Sequence, residues 1–166
     1  MILISDRALL DAISLCTSAA ARESDPIKVQ TLGGFLCVAA GSAIESCVRT
    51  EYLNFAALES AAFEAFVENH FEKFNARIRL HQIAEDFTQK IGGVYYKRFV
   101  RMRAAVTTSY IRRFRADPFA AYSNLVQWRH SFVHERTLPP ATLDHIVMSI
   151  FLSEAVMQCL HRSLSR

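Results

Sequence analysis

Residues 26–57 are apolar around most of their circumference when they are wound as a helix at ~100° per residue. Asp25 can cap this helix, and Pro26 suits its first turn. A narrow polar stripe runs along the helix and is formed by Ser42, Glu45, Arg49 and Tyr52. Because a helix that is apolar on nearly all sides must be covered on nearly all sides, we expect residues 26–57 to form the central helix of a globular domain.

Helical periodicity also dominates the rest of the chain. Only five glycines and four prolines occur in 166 residues, which favours long helices over a turn-rich β fold. The other predicted helices cover 5–22, 58–78, 79–90, 117–134 and 142–163, whereas the periodicity of 94–115 is unclear. The sequence therefore predicts a single all-α domain spanning residues 1–166, with about five to seven helices.

The composition indicates the class of protein and its compartment. Apolar residues make up 51% of the chain and charged residues 21%, which is typical of a globular protein rather than of a disordered one. The four cysteines form no CxxC pair and no Cys/His cluster, so we expect reduced core thiols in a cytoplasmic protein. Glu45 interrupts the most apolar run, 32–44, well before the ~20 residues that span a bilayer, and we expect no membrane association. The N-terminus lacks the basic region of a signal peptide.

Arg129 lies in the middle of an apolar stripe on the helix predicted over 117–134. Its neighbours on the helical wheel are Tyr122, Leu125, Val126, Phe132 and Val133. A guanidinium keeps its charge and is rarely buried without an anionic partner. Two histidines, His130 and His134, lie beside it and are neighbours at i,i+4.

A second cationic feature is the stretch 95–115, where basic and aromatic residues alternate. The basic residues are Lys97, Arg98, Arg101, Arg103, Arg112, Arg113 and Arg115. Basic side chains neutralise phosphates and aromatic rings stack on unpaired bases, so the stretch is a candidate RNA-binding surface. The alternative is an ordinary solvated helix face with its own core aromatics.

Arg129 and His134 are separated by four residues and lie near a predicted helix end, within WRHSFVHE (128–135). A short loop and a last amphipathic helix follow in TLPPATLDHIVMSIFLSEAVMQCLHRSL (137–164). An apolar helix with a Ser-x-x-Glu pattern precedes them in LCVAAGSAIESCVRTEYL (36–53). This arrangement resembles the HEPN superfamily, and above all its RiboL-PSP-HEPN-like branch. It departs from the family at His130, where Asn is more common, and at Val133, where a small residue is more common.

The resemblance implies an up-and-down helical bundle and a metal-independent endoribonuclease without a cofactor. Such proteins work as homodimers whose motifs line one shared cleft, and they generally leave a 2′,3′-cyclic phosphate and a 5′-hydroxyl. Many act as toxins or in antiphage defence and are held in check by a partner protein, such as an antitoxin. For this chain the resemblance implies catalytic roles for Arg129 and His134, and supporting roles for Ser42 and Glu45.

The chemistry of RNA cleavage is compatible with these residue types. Attack by the 2′-OH needs a base for that hydroxyl, an acid for the 5′-oxygen and cationic donors on the phosphorane. An imidazole with a pKa of about 6.5 exchanges protons at neutral pH, and a guanidinium matches two phosphate oxygens. We therefore interpret His134 as the principal acid–base residue, His130 as a residue that orients or shares this role, and Arg129 as the phosphate ligand.

The same residues allow other interpretations. Arg129 can form a structural ion pair with Glu45, and His130 and His134 can bind zinc, although no third ligand is evident. The chain can also be a non-catalytic HEPN module that binds RNA or a protein. Five residues of ideal helix place Arg129 and His134 ~140° apart. Either the helix ends or tightens before His134, or a second protomer completes the site, and we expect a dimer in which 117–134 lies near its symmetry mate.

Overall fold

The computed structural model describes residues 5–72 and 78–165, with all their side chains except those of 70–72. This part of the chain contains seven helices and no strand. The helices are α1 (Arg7–Ala20), α2 (Pro26–Glu59), α3 (Ala61–Glu72), the π-helical α4 (Gln82–Gln89), α5 (Gly93–Phe114), α6 (Pro118–His130, continued by the π-helical turn Ser131–Glu135) and α7 (Leu143–Leu164). The predicted all-α bundle of five to seven helices is confirmed.

The helices begin where the sequence places capping side chains. Asp25 accepts a hydrogen bond from the Ile27 N–H at 2.8 Å, and Asp117 accepts one from the Phe119 N–H at 2.9 Å. Asp6 and Thr142 cap α1 and α7 in the same way. Each cap satisfies a backbone donor that the first helical turn leaves without a partner.

Helix α2 is the centre of the bundle, as the sequence predicts. It packs against α1, α3, α6 and α7, and its apolar residues are buried along most of its length. Gly33 lies against Ile146, and His161 contacts Glu51 near the other end of both helices, so α2 and α7 run parallel. Arg129 on α6 lies beside Gly41, whereas the later residue Phe132 lies beside Gly34, so α6 runs antiparallel to α2.

The structure corrects one expectation from the sequence and adds detail to two helical segments. Tyr52 does not belong to a polar stripe, because it is buried and its hydroxyl forms hydrogen bonds with the Ile83 carbonyl and the Thr88 hydroxyl. The stretch 94–115, which lacks a clear period, lies in a continuous helix that buries only Phe99. The segment 79–90 is mostly π-helical rather than α-helical. The predicted end of the third helix, 73–77, lies outside the described residues.

The cysteines and the long apolar helices belong to the core. All four cysteines are buried and none forms a disulfide, and burial raises the pKa of the Cys37 thiol to about 12 and those of Cys47 and Cys159 to about 11. Although Glu45 interrupts the most apolar run of the sequence, α2 and α7 are each long and apolar enough, by length and composition alone, to cross a membrane. The bundle buries 56% and 61% of their most apolar windows, which is usual for core helices.

Candidate functional site

Arg129 crosses α2 at a position where α2 has no side chain. A Cβ atom built on Gly41 would overlap Cδ of Arg129 and come within 2.5 Å of its Nε. The arginine stem can therefore lie flat on the α2 backbone only because residue 41 is glycine. This contact carries the guanidinium to Glu45, one turn further along α2.

The predicted ion pair between Arg129 and Glu45 is confirmed. Nη1 of Arg129 lies 3.0 Å from Oε1 of Glu45, and the two side chains are 21% and 30% exposed. These two atoms are close enough for an ion pair, but their orientation does not meet the geometry of a hydrogen bond. Among the described residues, neither Arg129 Nε nor Glu45 Oε1 has a hydrogen-bond partner, although both atoms are buried. The carboxylate thus holds the guanidinium in place while hydrogen-bonding capacity remains on both groups.

The helix geometry changes immediately after His130. Residues 131–135 form a π-helical turn, which ends where the N–H groups of Arg136 and Thr137 both donate to the Ser131 carbonyl. Phe132 anchors the turn on α2, because its ring lies over Gly34 and meets the Phe35 ring edge-on at 5.5 Å. A π-helical hydrogen bond joins residues five apart, so this turn brings such residues towards one side of the helix.

Arg129 and His134 consequently line one groove within a single chain. The groove has a volume of about 280 Å³, and its described lining consists of Arg79, Gln82, Val126, Arg129, His130, Val133 and His134. The ideal-helix separation of ~140° therefore does not apply. Rather than ending or tightening before His134, as expected from the sequence, the helix widens into a π-helical turn. Geometry therefore does not require a second protomer to bring Arg129 and His134 together.

The two histidines are close to each other at the rim of this groove. Their ring centroids are 4.8 Å apart, and Nε2 of His130 lies 3.9 Å from a carboxylate oxygen of Glu135. His134 is exposed and His130 is half-buried, so both imidazoles are accessible to a ligand. Within the described ranges, no three His, Cys, Asp or Glu side chains are placed to hold a metal ion.

Ser42 does not contribute to the lining of the groove. It is exposed on α2, three residues before Glu45, whereas the groove opens beside α6 and the start of α4. The Ser-x-x-Glu pattern thus divides into a glutamate that contacts the arginine and a serine outside the groove.

The basic residues of 95–115 lie on α5 and away from the groove. Lys97, Arg98, Arg101, Arg103, Arg112, Arg113 and Arg115 are all exposed. Arg103 stacks on Phe119 at 5.4 Å, and Phe99 meets the same ring edge-on, so α5 crosses α6 near its first turn. Phe119 precedes Arg129 by ten residues, which corresponds to about 15 Å of helix rise. Some of these cations have partners within the chain, such as the Ser165 carbonyl for Arg98.

Two further residues, Arg79 and Gln82, line the groove although they are not among the site residues predicted from the sequence. They lie at the start of α4, where the Arg79 N–H donates to the Gln82 side-chain carbonyl at 3.0 Å. In a capping box, the side chain of the fourth residue accepts a hydrogen bond from the N–H of the first, and Gln82 and Arg79 make this contact. It is the feature by which the sequence could have indicated where these two residues lie. Arg79 and Gln82 lie more than 40 residues before the α6 residues that they face across the groove. Helical periodicity describes one segment at a time and cannot predict such a contact.

Comparison with known proteins identifies no relative of this chain. No protein-family model matches the sequence, and neither the curated proteins nor the solved structures contain a significant match. The resemblance to HEPN proteins therefore rests on the residues of this chain alone.

Proposed function

We propose that the protein is a metal-independent endoribonuclease of HEPN type that cleaves single-stranded RNA by attack of the 2′-OH. The observation that supports this proposal most directly is the placement of Arg129 and His134, with His130, along one groove of one chain. The groove presents the residue types that the reaction needs: a planar cation for the phosphate and imidazoles for proton transfer.

The proposed reaction proceeds in one displacement. The 2′-oxygen forms a bond to phosphorus while the bond from phosphorus to the 5′-oxygen breaks, which leaves a 2′,3′-cyclic phosphate and a 5′-hydroxyl. One imidazole accepts the proton of the 2′-OH and a second group donates a proton to the 5′-oxygen. His134 takes one of these roles, and His130, or a water that it orients, takes the other. Arg129 donates to the non-bridging oxygens, whose charge grows in the phosphorane, and Glu45 keeps its guanidinium on α2.

The proposal extends to location and partners. We propose a cytoplasmic homodimer without a cofactor, acting as a toxin or defence protein under the control of an antitoxin or another partner protein. The exposed cations of α5 lie outside the groove, and we assign them to RNA affinity rather than to the chemical step.

A second candidate function is a non-catalytic helical module that binds RNA or a protein. The ion pair between Arg129 and Glu45 favours it, because an arginine that is already paired can have a purely structural role. The two functions differ in what the histidines do, so variants of His134 separate them.

The decisive experiment is incubation of the purified protein with single-stranded RNA in the presence of EDTA. We expect cleavage products that end in a 2′,3′-cyclic phosphate, and no cleavage of an oligonucleotide whose nucleotides all lack the 2′-OH. His134→Ala should abolish cleavage and leave thermal stability nearly unchanged, because the side chain is exposed. Arg129→Lys should also be inactive, since an ammonium cannot replace the planar guanidinium.

The matched control is His145→Ala, an exposed histidine on α7 that lies outside the groove and should retain full activity. Binding of RNA without any cleavage by the unmodified protein would favour the non-catalytic module. An active Arg129→Lys variant, together with unfolding of Arg129→Ala, would assign Arg129 to the structural ion pair.

A further inference from the structure

A second groove adjoins the first along the same side of α6. It has a volume of about 240 Å³ and a described lining of Arg79, Leu80, His81, Ser123, Val126 and Gln127. Arg79 and Val126 line both grooves, so the two adjoin at these residues and together form a depression between α6 and the segment that leads into α4. Ser123 and Gln127 precede Arg129 on α6, and the second groove therefore runs from the candidate site towards the first turn of α6.

The charge of this depression favours an anionic chain. Its described lining holds two guanidinium groups, from Arg79 and Arg129, and three imidazoles. Two carboxylates lie next to the lining residues: Glu45 pairs with Arg129, and Glu135 lies 3.9 Å from Nε2 of His130. Arg79 is exposed at the junction of the two grooves, where its guanidinium can reach a phosphate that lies next to one held by Arg129. A phosphate-bearing ligand that extends through both grooves would thus meet a cation in each part.

The polar groups of the second groove differ from those of the first. The Ser123 hydroxyl donates to the Phe119 carbonyl at 2.8 Å, so its oxygen remains able to accept a hydrogen bond. The Gln127 NH₂ group donates to the Ser131 hydroxyl at 3.3 Å, which leaves the amide oxygen as an acceptor. Acceptors do not suit a phosphate, whereas the edges of unpaired bases carry donors that pair with them.

We propose that the second groove holds the nucleotide next to the cleaved bond, with its phosphate on Arg79 and its base against Ser123, Gln127 and the His81 ring. This assignment rests on the proposed function, because it takes single-stranded RNA as the ligand of the first groove. It makes Arg79 a binding residue for the substrate backbone and Gln127 a residue that influences base preference.

Direct binding tests this assignment without requiring cleavage. The probe is a fluorescein-labelled single-stranded 12-mer in which every 2′-OH is methylated, so that it cannot be cleaved, and fluorescence anisotropy is measured across a range of salt concentrations. Arg79→Gln should weaken binding about three- to tenfold for all sequences and reduce the log–log salt slope by about 0.7, the value for one phosphate contact on a single strand. Gln127→Ala should leave the slope unchanged and alter the ranking of uridine, adenine and cytosine homopolymers.

The matched control is Arg22→Gln, which removes an exposed arginine after α1, outside both grooves, and should preserve both affinity and slope. Thermal unfolding verifies that the variants are folded, since exposed substitutions of this kind change stability little. Arg79-dependent binding by a protein that cleaves no RNA would support the second groove and refute the proposed reaction. The proposed role of the second groove would be refuted if Arg79→Gln kept the affinity and salt slope of the unmodified protein. It would also be refuted if the unmodified protein did not bind the probe.

Discussion

Gly41 is the residue on which the placement of the guanidinium depends. Arg129 approaches from α6 and Glu45 lies on α2 itself, so the charge pair can form only if the arginine stem passes close to the α2 backbone. Any Cβ at position 41 would occupy the space of Cδ and Nε, which are inner atoms of the side chain and cannot move aside as its tip can. The glycine therefore contributes to the site through the absence of a side chain.

We expect Gly41→Ala to destabilise the protein by roughly 1 kcal/mol and to lower RNA cleavage. The gain in helix propensity is about 1 kcal/mol, whereas overpacking costs about 1–3 kcal/mol and moves the guanidinium away from Glu45. Urea unfolding measures the change in the free energy of unfolding. The matched control is Gly93→Ala at the start of α5, where a Cβ meets nothing within 4 Å of the described structure, so this variant should be neutral or slightly stabilised. Equal stability changes in the two variants would contradict a special role for Gly41.

At the scale of elements, the residues predicted for the site lie on two different helices, the histidines and Arg129 at the end of α6 and the basic residues on and just after α5. The π-helical turn at the end of α6 places His134 beside Arg129, and Phe132 holds that turn against Gly34. Helix α5 contacts α6 near its opposite end, where Phe99 and Arg103 meet Phe119. The proposed acid–base residues and the basic residues of α5 therefore lie on separate surfaces, and we expect them to affect different kinetic parameters.

Replacing Arg112, Arg113 and Arg115 on and after α5 with Gln should raise the RNA concentration for half-maximal cleavage and flatten its salt dependence. The maximal rate should hold, because phosphate contacts away from the cleaved bond stabilise the ground state and the transition state alike. Steady-state kinetics at several salt concentrations measure both quantities. The matched control replaces Arg7, Arg22 and Lys28 on and near α1 and the start of α2, which removes the same charge elsewhere. An equal effect of the control would assign the salt dependence to net charge, and a lower maximal rate in the α5 variant would place these arginines near the reacting atoms.

At the scale of the whole molecule, the groove is formed by segments that are distant in the chain. Helices α2 and α6 pack antiparallel and bring Glu45 to Arg129, while the start of α4 adds Arg79 and Gln82 from the other side. All of these residues belong to one chain, so dimerisation is not needed to bring Arg129 and His134 together. We therefore expect the proposed homodimer to carry two separate sites rather than shared ones.

Mixing two inactive variants distinguishes separate sites from shared ones. Arg129→Lys and His134→Ala are unfolded together, refolded to form mixed dimers and assayed for RNA cleavage. A shared site would combine the intact Arg129 of one chain with the intact His134 of the other, and activity would return. Because both residues line one groove of a single chain, we expect no recovery. The control is wild-type protein taken through the same refolding, which must regain its activity.

The sequence by itself determined most of the helices, their caps and the central position of α2, and it offered the pairing of Arg129 with Glu45 as one interpretation. These features follow from local rules: a capping carboxylate satisfies the N–H groups beside it, a helix that is apolar all round must be covered, and a charge in an apolar stripe needs a counter-charge. The i,i+4 proximity of His130 and His134 is equally local.

Only the tertiary structure decided how the site is assembled. The π-helical turn at 131–135 accompanies the packing of Phe132 on Gly34, a contact between segments about 100 residues apart in the chain, so the α-helical period gives the wrong angle between Arg129 and His134. The burial of Tyr52 likewise depends on hydrogen-bond partners supplied by α4. Arg79 reaches the groove because the Tyr122 hydroxyl on α6 donates a hydrogen bond to the Ile78 carbonyl of the preceding residue, and a helical wheel drawn for one segment contains no information about its neighbours.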